Sequence, residues 1–394
     1  MVAVGREGRH MKTLLKIVLG LAVILLAAGI WKREEIRRLM GVLDLFSEQK
    51  IVANFSGMDQ IFLHQPLPGT GATPSPLPQG PPVDLPTDVA DWVAARNVTS
   101  LVVLKDGAIV FEQYYKNTSP EDLRINWSIS KSYLSALFGV VLAEGAIDSI
   151  DDPVVKYAPE LATSAYAGAS IKDVLQMQSG VTFDEDYLDF FSDINQMGRV
   201  LALGGSMDDF AVSQEDSFAA PGDRWQYVSI DTHVIGMVIR GATGRNIHDL
   251  MREKILDPLG FEADPYFLID GFGTAFVLGG LNTTTRDNAR FGQMFANAGR
   301  WNGQQVVPAD WVTASTRASA NTQPGAIGYG YQWWMPDGST PGQFLGRGIY
   351  GQYLYVDQVN DVVIATHGAD RLFREPGVHP QNEAIFRLIA ESLN

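Results

Sequence analysis

The chain has 394 residues, 46% hydrophobic and 19% charged, enough to bury a large core or two subdomains. Its net charge of −15, with no basic run in the body, excludes a nucleic-acid binder, which needs a basic footprint. The absence of cysteine excludes disulfides, a cysteine nucleophile and thiolate metal sites.

The N-terminus comes first. Arg6, Arg9, Lys12 and Lys16 precede an apolar run over 17–31, and Lys32, Arg33, Arg37 and Arg38 follow it. Basic flanks suit a membrane interface, and Leu14, Leu15 and a snorkelling Lys16 lengthen the run. Residues 1–33 are therefore expected to be a membrane anchor or a signal segment, with Ala27-Ala28-Gly29 as a cleavage option. The basic patch directly behind that cut site favours the anchor. The body would then lie on the periplasmic or extracellular side, or be secreted if the segment is cleaved. Residues 34–86 are expected to link the membrane to the body. Positions 65–86 hold eight of the twenty prolines, a composition that predicts a stiff, extended tether.

The body is expected over 87–394. Residues 88–96 read as a short helix. Apolar runs at 101–104 and 109–115 flank Asp106-Gly107, a hairpin signal. Next comes Asn126-Trp127-Ser128-Ile129-Ser130-Lys131 at the mouth of an apolar helix that runs to Gly145, a C-cap. Positions i and i+3 share a helix face, so Lys131 can lie beside the Ser128 hydroxyl. A serine hydroxyl becomes a nucleophile when a base takes its proton, and burial favours the neutral, proton-accepting lysine. The free N–H groups of the first helical turn can hold an oxyanion.

Residues 146–300 read as mostly helical, with an acidic, aromatic loop over 183–189 in which Tyr187 is the candidate substrate contact. Pro221-Gly222 turns into Tyr227-Val228-Ser229, and a tyrosine beside a lysine ammonium can have a depressed pKa and serve as a general base or proton shuttle. Asn282 precedes three threonines that can cap a helix starting near Arg286. Runs at 329–335, 350–356 and 362–367 read as strands, and 383–393 as a closing helix. The fold class is thus α+β. An antiparallel sheet joins the N- and C-terminal strands and is flanked by helices. The mostly α-helical middle adds a cleft where it meets the sheet.

Several motifs fail. Ser47-x-x-Lys50 repeats the Ser-x-x-Lys spacing in a polar stretch. Gly346-Arg347-Gly348-Ile349-Tyr350-Gly351 matches a dinucleotide loop, but the residues after it read as a strand rather than a helix. No G-x-S-x-G elbow occurs. The six histidines are scattered without metal-binding spacing; His233 and His367 lie nearest the candidate site segments. No metal and no organic cofactor is expected.

Several ordered stretches together resemble one family. They are Trp127-Ser128-Ile129-Ser130-Lys131-Ser132, Ile150-Asp151-Asp152-Pro153-Val154, Leu175-Gln176-Met177-Gln178-Ser179-Gly180, and Pro221-Gly222 with Tyr227. Gly279-Gly280-Leu281 with Arg286-Asp287 and Arg290-Phe291-Gly292, and Gly348-Ile349-Tyr350-Gly351-Gln352, complete the set. From about Pro86 to Asn394 the chain resembles the serine β-lactamase and penicillin-binding-protein superfamily. Within it, the class C-like branch of family VIII esterases and 6-aminohexanoate-dimer hydrolases is the most similar. The resemblance implies a β-lactamase/transpeptidase-like fold. It implies Ser128 as acylated nucleophile, Lys131 as its activator, and Tyr227 as partner base and proton donor to the leaving group. It further implies an oxyanion hole from the Ser128 N–H and a backbone N–H of the Gly348 to Gly351 strand edge, with Gly348 and Ile349 as the candidate residues.

Two departures separate the chain from antibiotic-hydrolysing relatives. Ser229 replaces the family's asparagine two residues after the tyrosine, and Gly346-Arg347-Gly348 replaces the Lys-Thr-Gly strand. Arg347 can still bind a carboxylate, and Tyr187 and Asn282 are candidate contacts by position. The expected function is cleavage of a small-molecule ester or amide through a Ser128 acyl-enzyme. A β-lactamase or D,D-peptidase is the alternative enzyme, and a non-hydrolytic penicillin-recognising sensor the alternative of another class.

Overall fold

In a computed structural model of the chain, residues 4–69, 74–323 and 327–394 are described. The hairpin forms around Asp106-Gly107, where both residues take positive φ (52° and 78°), a conformation that matches strand twist. Its arms are β1 (Val98–Lys105) and β2 (Ala108–Tyr114). Five further strands come from the end of the chain: β3 (Gly328–Tyr329), β4 (Trp334–Met335), β5 (Gln343–Gly348), β6 (Gln352–Asp357) and β7 (Val362–Gly368). Together they make a seven-stranded antiparallel sheet in the order β2-β1-β7-β6-β5-β4-β3. The two parts of the chain meet where Val103 pairs with Ile364 and Val102 with Ala365.

Both faces of this sheet are covered, which is why its strands read as apolar runs rather than strict alternation. On one face Tyr353 and Tyr355 meet Phe386, with ring centroids 5.2 and 5.8 Å away. On the other, Leu354 and Val363 press on Gly292, where a Cβ would approach each side chain to 2.7 Å. That glycine lets the helix Thr285–Ala296 lie close to the sheet. Thr284 caps this helix as expected, accepting from the Asp287 N–H at 3.1 Å.

The middle of the chain is helical but not purely so. It holds α4 (Ile129–Ala143), α5 (Asp193–Leu203) and α6 (Ser229–Thr243), numbered after α1 (Val4–Trp31), α2 (Arg33–Leu43) and α3 (Asp88–Ala95). α4 is buried continuously over 129–139 and ends at Gly145, with φ 79°. A second, four-stranded sheet crosses the middle, with the order His64–Pro66, Tyr266–Leu268, Leu281–Thr283, Arg124–Ile125. Residues 266–268 and 281–283 were expected as part of a helical region. They are strands because each finds a distant partner, which local periodicity cannot report.

The segment expected as a tether does not hang free. Leu45, Ile51, Phe55, Met58 and Phe62 are buried in the main core. Phe55 is wholly buried, its ring edge-on to Phe46 (6.2 Å), Trp127 (5.7 Å) and Tyr350 (5.7 Å). Arg124 ties the segment down, donating to the Val52 carbonyl at 2.9 Å and to the Ser56 hydroxyl at 2.8 Å. The prolines stay extended, but along the sheet. The Gly80 N–H donates to the Ile109 carbonyl at 2.9 Å, and the Ile109 N–H returns to the Pro78 carbonyl at 2.8 Å. Proline lacks an N–H and suits such an edge position, which also shields β2 from further pairing. Residues 70–73 of the expected tether lie outside the described residues.

N-terminal to this, the stretch Leu14–Trp31 of α1 has a mean hydropathy of 2.5 and is long and apolar enough to cross a membrane.

If 45–62 is core, Phe55→Ala costs about 3–5 kcal/mol. The urea midpoint should fall accordingly with the m-value unchanged. A loss below about 1 kcal/mol would mean that this segment is only laid on the surface.

Candidate active site

The strand Arg124–Ile125 carries the chain to Asn126, whose N–H donates to the Leu281 carbonyl at 2.9 Å. Trp127 then takes a left-handed conformation (φ 45°). This sharp turn leaves Ser128 at the N-cap of α4, half-buried and reachable, one residue ahead of the helix proper. One turn on, Lys131 is 1% exposed. Its Nζ lies 2.9 Å from Ser128 Oγ and 2.7 Å from the Leu278 carbonyl oxygen. Burial pushes the Lys131 amine down to about 7, against the pull of Glu185 in the other direction. The i,i+3 spacing thus delivers the contact expected of it.

Tyr227 stands across from this pair. Its ring stacks on Trp334 (5.2 Å) and meets Tyr329 edge-on (6.4 Å), while Lys131 Nζ lies 5.4 Å from its centroid. Its position agrees with the sequence reading; its acidity does not. Burial pushes the phenol up, and nearby Glu185 adds to that, while the hydrogen bond with Ser128 works the other way. Tyr227 is therefore held as the neutral phenol by its burial and by the nearby Glu185 carboxylate.

Glu185 is the residue sequence reasoning missed. It lies in the acidic, aromatic loop, where nothing in the composition distinguishes it from Asp184, Asp186 or Asp189. Only its carboxylate turns inward. One oxygen accepts from the Tyr187 hydroxyl at 2.6 Å, and the other from the Ser229 N–H. It therefore caps the N-terminus of α6 as well as facing Lys131. Burial pushes the pKa of its carboxyl up, against the pull of Lys131 in the other direction. Tyr187 is thereby placed at the site, partly buried and in contact with Glu185, and the Ser229 backbone is fixed by the same carboxylate.

The edge of β5 closes the third side. Gly348 approaches the nucleophile turn so nearly that a Cβ would sit 2.7 Å from the Asn126 carbonyl oxygen and 3.1 Å from the Trp127 Cβ. Beyond it, Tyr350 (φ 60°) and Gly351 (φ 90°) turn the chain into β6. Among the described residues, the N–H groups of Ser128 and Ile349 donate to no protein acceptor. That leaves them free for an oxyanion. The glycine-rich stretch 346–351 leads from one strand into another, so the helix that a dinucleotide loop needs does not follow it. Arg347 lays its guanidinium over Trp334, 3.9 Å from the ring centroid, and makes no ion pair among the described residues.

Asn282 is a correction. It is fully buried in the second sheet, opposite Ile125 and Tyr266, and its amide donates to the Gly280 carbonyl at 2.9 Å. It therefore supports the strand beside the nucleophile turn and reaches no cavity. His233 and His367, the two histidines nearest the candidate segments in the sequence, are structural too. His233 pairs with Asp208 at 2.8 Å. His367 is enclosed with Nδ1 3.0 Å from Thr285 Oγ1 and Nε2 3.1 Å from Asn126 Oδ1, and burial holds it well below the usual imidazole range. Among the described residues no cluster of histidine and acidic side chains is arranged for a metal ion.

Two cavities meet at Ser128, with Tyr187 and Ile349 shared between them. One, of about 300 Å³, is lined by Glu185, Tyr227, Trp334, Arg347, Arg374 and His379 among others. The other, of about 100 Å³, is lined mostly by apolar residues including Phe46, Trp127, Leu201 and Phe276, together with Asn195 and Ser229.

The comparisons with known proteins agree with this geometry. The family model described as Beta-lactamase matches residues 89–369. The 6-aminohexanoate-dimer hydrolase of Paenarthrobacter ureafaciens is 32% identical over 279 residues, spanning 67% of this chain and 71% of that protein. Among solved structures, a Bacillus anthracis protein named after 6-aminohexanoate-dimer hydrolase superposes with a TM-score of 0.80 at 22% identity. It covers 89% of this chain and 96% of its own. A family VIII carboxylesterase superposes at 0.58 with 18% identity, covering 79% and 99%. With its Ser-x-x-Lys helix inside a match from Val89 to Ala369, the chain belongs to the beta-lactamase family and is a hydrolase of ester or amide bonds.

Proposed function

We propose that the chain cleaves its ester or amide by way of an acyl-enzyme on Ser128. The observation that carries this reading is the buried Lys131 amine, 2.9 Å from the Ser128 hydroxyl and titrating near neutrality. In the neutral form Lys131 takes the Ser128 proton as Oγ attacks the carbonyl carbon. The N–H groups of Ser128 and Ile349, at the Gly348 edge, hold the resulting oxyanion. Tyr227, a neutral phenol, gives its proton to the leaving oxygen or nitrogen and is reprotonated from the Lys131 ammonium. The carbon–heteroatom bond breaks and the acyl-enzyme remains. Water then attacks, its proton passing to the same lysine–tyrosine pair, and Ser128 leaves with a proton restored.

Arg347 supports an anionic leaving portion: its guanidinium is aimed into the polar cavity and stacked on Trp334, with no carboxylate of the chain engaged. The relative's named substrate, a 6-aminohexanoate dimer, is a linear amide that ends in such a carboxylate. The long apolar helix supports an anchor, with the body on the periplasmic or extracellular side of the membrane.

Ser128→Ala is expected to lower turnover of p-nitrophenyl esters and of a linear amide dimer by at least about 10³-fold. Tyr227→Phe should cost about 10²–10⁴-fold. Intact mass during turnover should show an acyl adduct on the wild type and none on Ser128→Ala. Turnover that survives Ser128→Ala would sink the reading.

Activity needs neutral Lys131, so kcat/KM should climb about tenfold per unit on the acid side and level off above about pH 7. The Glu185 carboxylate favours the lysine ammonium, so Glu185→Gln should move that limb to lower pH. A limb that stays in place in this variant would remove Glu185 from the mechanism.

A further inference from the structure

The two cavities have opposite chemistry, and the proton donor decides which part of the substrate each receives. Tyr227 lines the polar cavity, so the leaving group that it protonates lies there. The acyl group must then extend to the other side of Ser128, into the apolar cavity. No aspartate, glutamate, lysine or arginine lines that cavity. Its walls include Phe62, Met197, Leu201 and Leu278, and exposed Leu43 and Leu188 stand next to lining positions in the chain.

Part of the wall lies outside the family match. Val42, Leu45, Phe46 and Phe62 all precede residue 89 and belong to the segment that begins directly after α1. Phe46 stacks on Tyr350 at 4.6 Å, beside Ile349 at the strand edge. α2 is tied to α5 on the far wall through Arg38, whose Nε donates to the Ala202 carbonyl at 2.9 Å.

We propose that this cavity is an acyl subsite for an uncharged hydrocarbon chain, and that the segment over 42–62 is one of its specificity-determining walls. The proposal rests on the acyl-enzyme reading above. A chain that ends in an ammonium, as a 6-aminohexanoyl group does, would bring a cation into a cavity with no carboxylate to receive it. This chain should therefore prefer a plain alkanoyl group to its ω-amino counterpart, and its substrates should differ in that respect from the dimer for which its relative is named.

Gly198 gives a clean test. It lines the cavity within α5, and a Cβ there meets nothing within 4 Å, so Gly198→Leu fills the space without a backbone clash. It also favours the helix. The full chain in lipid nanodiscs would be given p-nitrophenyl acetate, butyrate, hexanoate, octanoate and 6-aminohexanoate. kcat/KM should rise by up to about fourfold for each methylene buried. Hexanoate should exceed 6-aminohexanoate at least tenfold. Gly198→Leu should lower the octanoate-to-acetate ratio at least tenfold, and Phe46→Ala should change that ratio too. A flat series, a preference for 6-aminohexanoate, or an unchanged ratio in Gly198→Leu overturns the subsite. If no ester is turned over in a Ser128-dependent way, the acyl-enzyme reading fails instead. Calorimetry with octanamide then judges the cavity alone. Binding to Ser128→Ala that is lost in Ser128→Ala/Gly198→Leu supports the subsite, and no binding to Ser128→Ala overturns it.

Discussion

The site depends on keeping one amine out of water without leaving it unpaired. Lys131 could be buried in an apolar helix at lower cost if it were apolar itself. It is instead held between the Ser128 hydroxyl and the Leu278 carbonyl, two groups that suit an amine whether or not it carries the extra proton. Desolvation then brings its basicity near neutrality, and Glu185 at the cavity wall limits how far it falls. The burial of α4 serves the same need, since an exposed helix would leave the lysine charged.

A second constraint is geometric. The two N–H groups available to an oxyanion belong to Ser128 and Ile349, which lie far apart in the chain. Their neighbours, Trp127 and Tyr350, both hold left-handed backbones, and both rings pack on Phe55. Phe55 is thus a wedge shared by the nucleophile turn and the strand edge, and Gly348 permits their approach. Strain in the two turns is stabilised by a core to which the segment before the family match contributes. The N-terminal segment is therefore part of the active-site architecture as well as the link to the apolar helix.

The two cavities at Ser128 differ in polarity through the same geometry. Charged and aromatic groups gather on the Tyr227 side, where Arg347 rests on Trp334. Apolar groups gather on the side of α5 and the N-terminal segment. The replacement of the family's Lys-Thr-Gly strand by Gly346-Arg347-Gly348 removes the lysine of that pattern and puts a planar, weakly hydrated cation one residue on, at its threonine position.

What the sequence by itself determined is what short range decides. The i,i+3 spacing of Ser128 and Lys131 needs only a helix to bring the two together. The Asp106-Gly107 turn needs only backbone preferences, and the apolar run before Lys32 only its length and composition. The antiparallel sheet was legible because the strand runs sit at the two ends of the body, with little choice of partner. Tertiary structure alone decided the rest. It chose Glu185 from four acidic neighbours, because only one of them turns inward on that loop. It placed Asn282 within a sheet, took a proline-rich segment onto an edge, and buried Phe46, Phe55 and Phe62 beside the nucleophile. It also reversed the expected acidity of Tyr227, since a pKa depends on the charge and burial of everything around a group. Each of these outcomes rests on contacts between residues distant in the chain, and such contacts leave no period or spacing in the sequence that carries them.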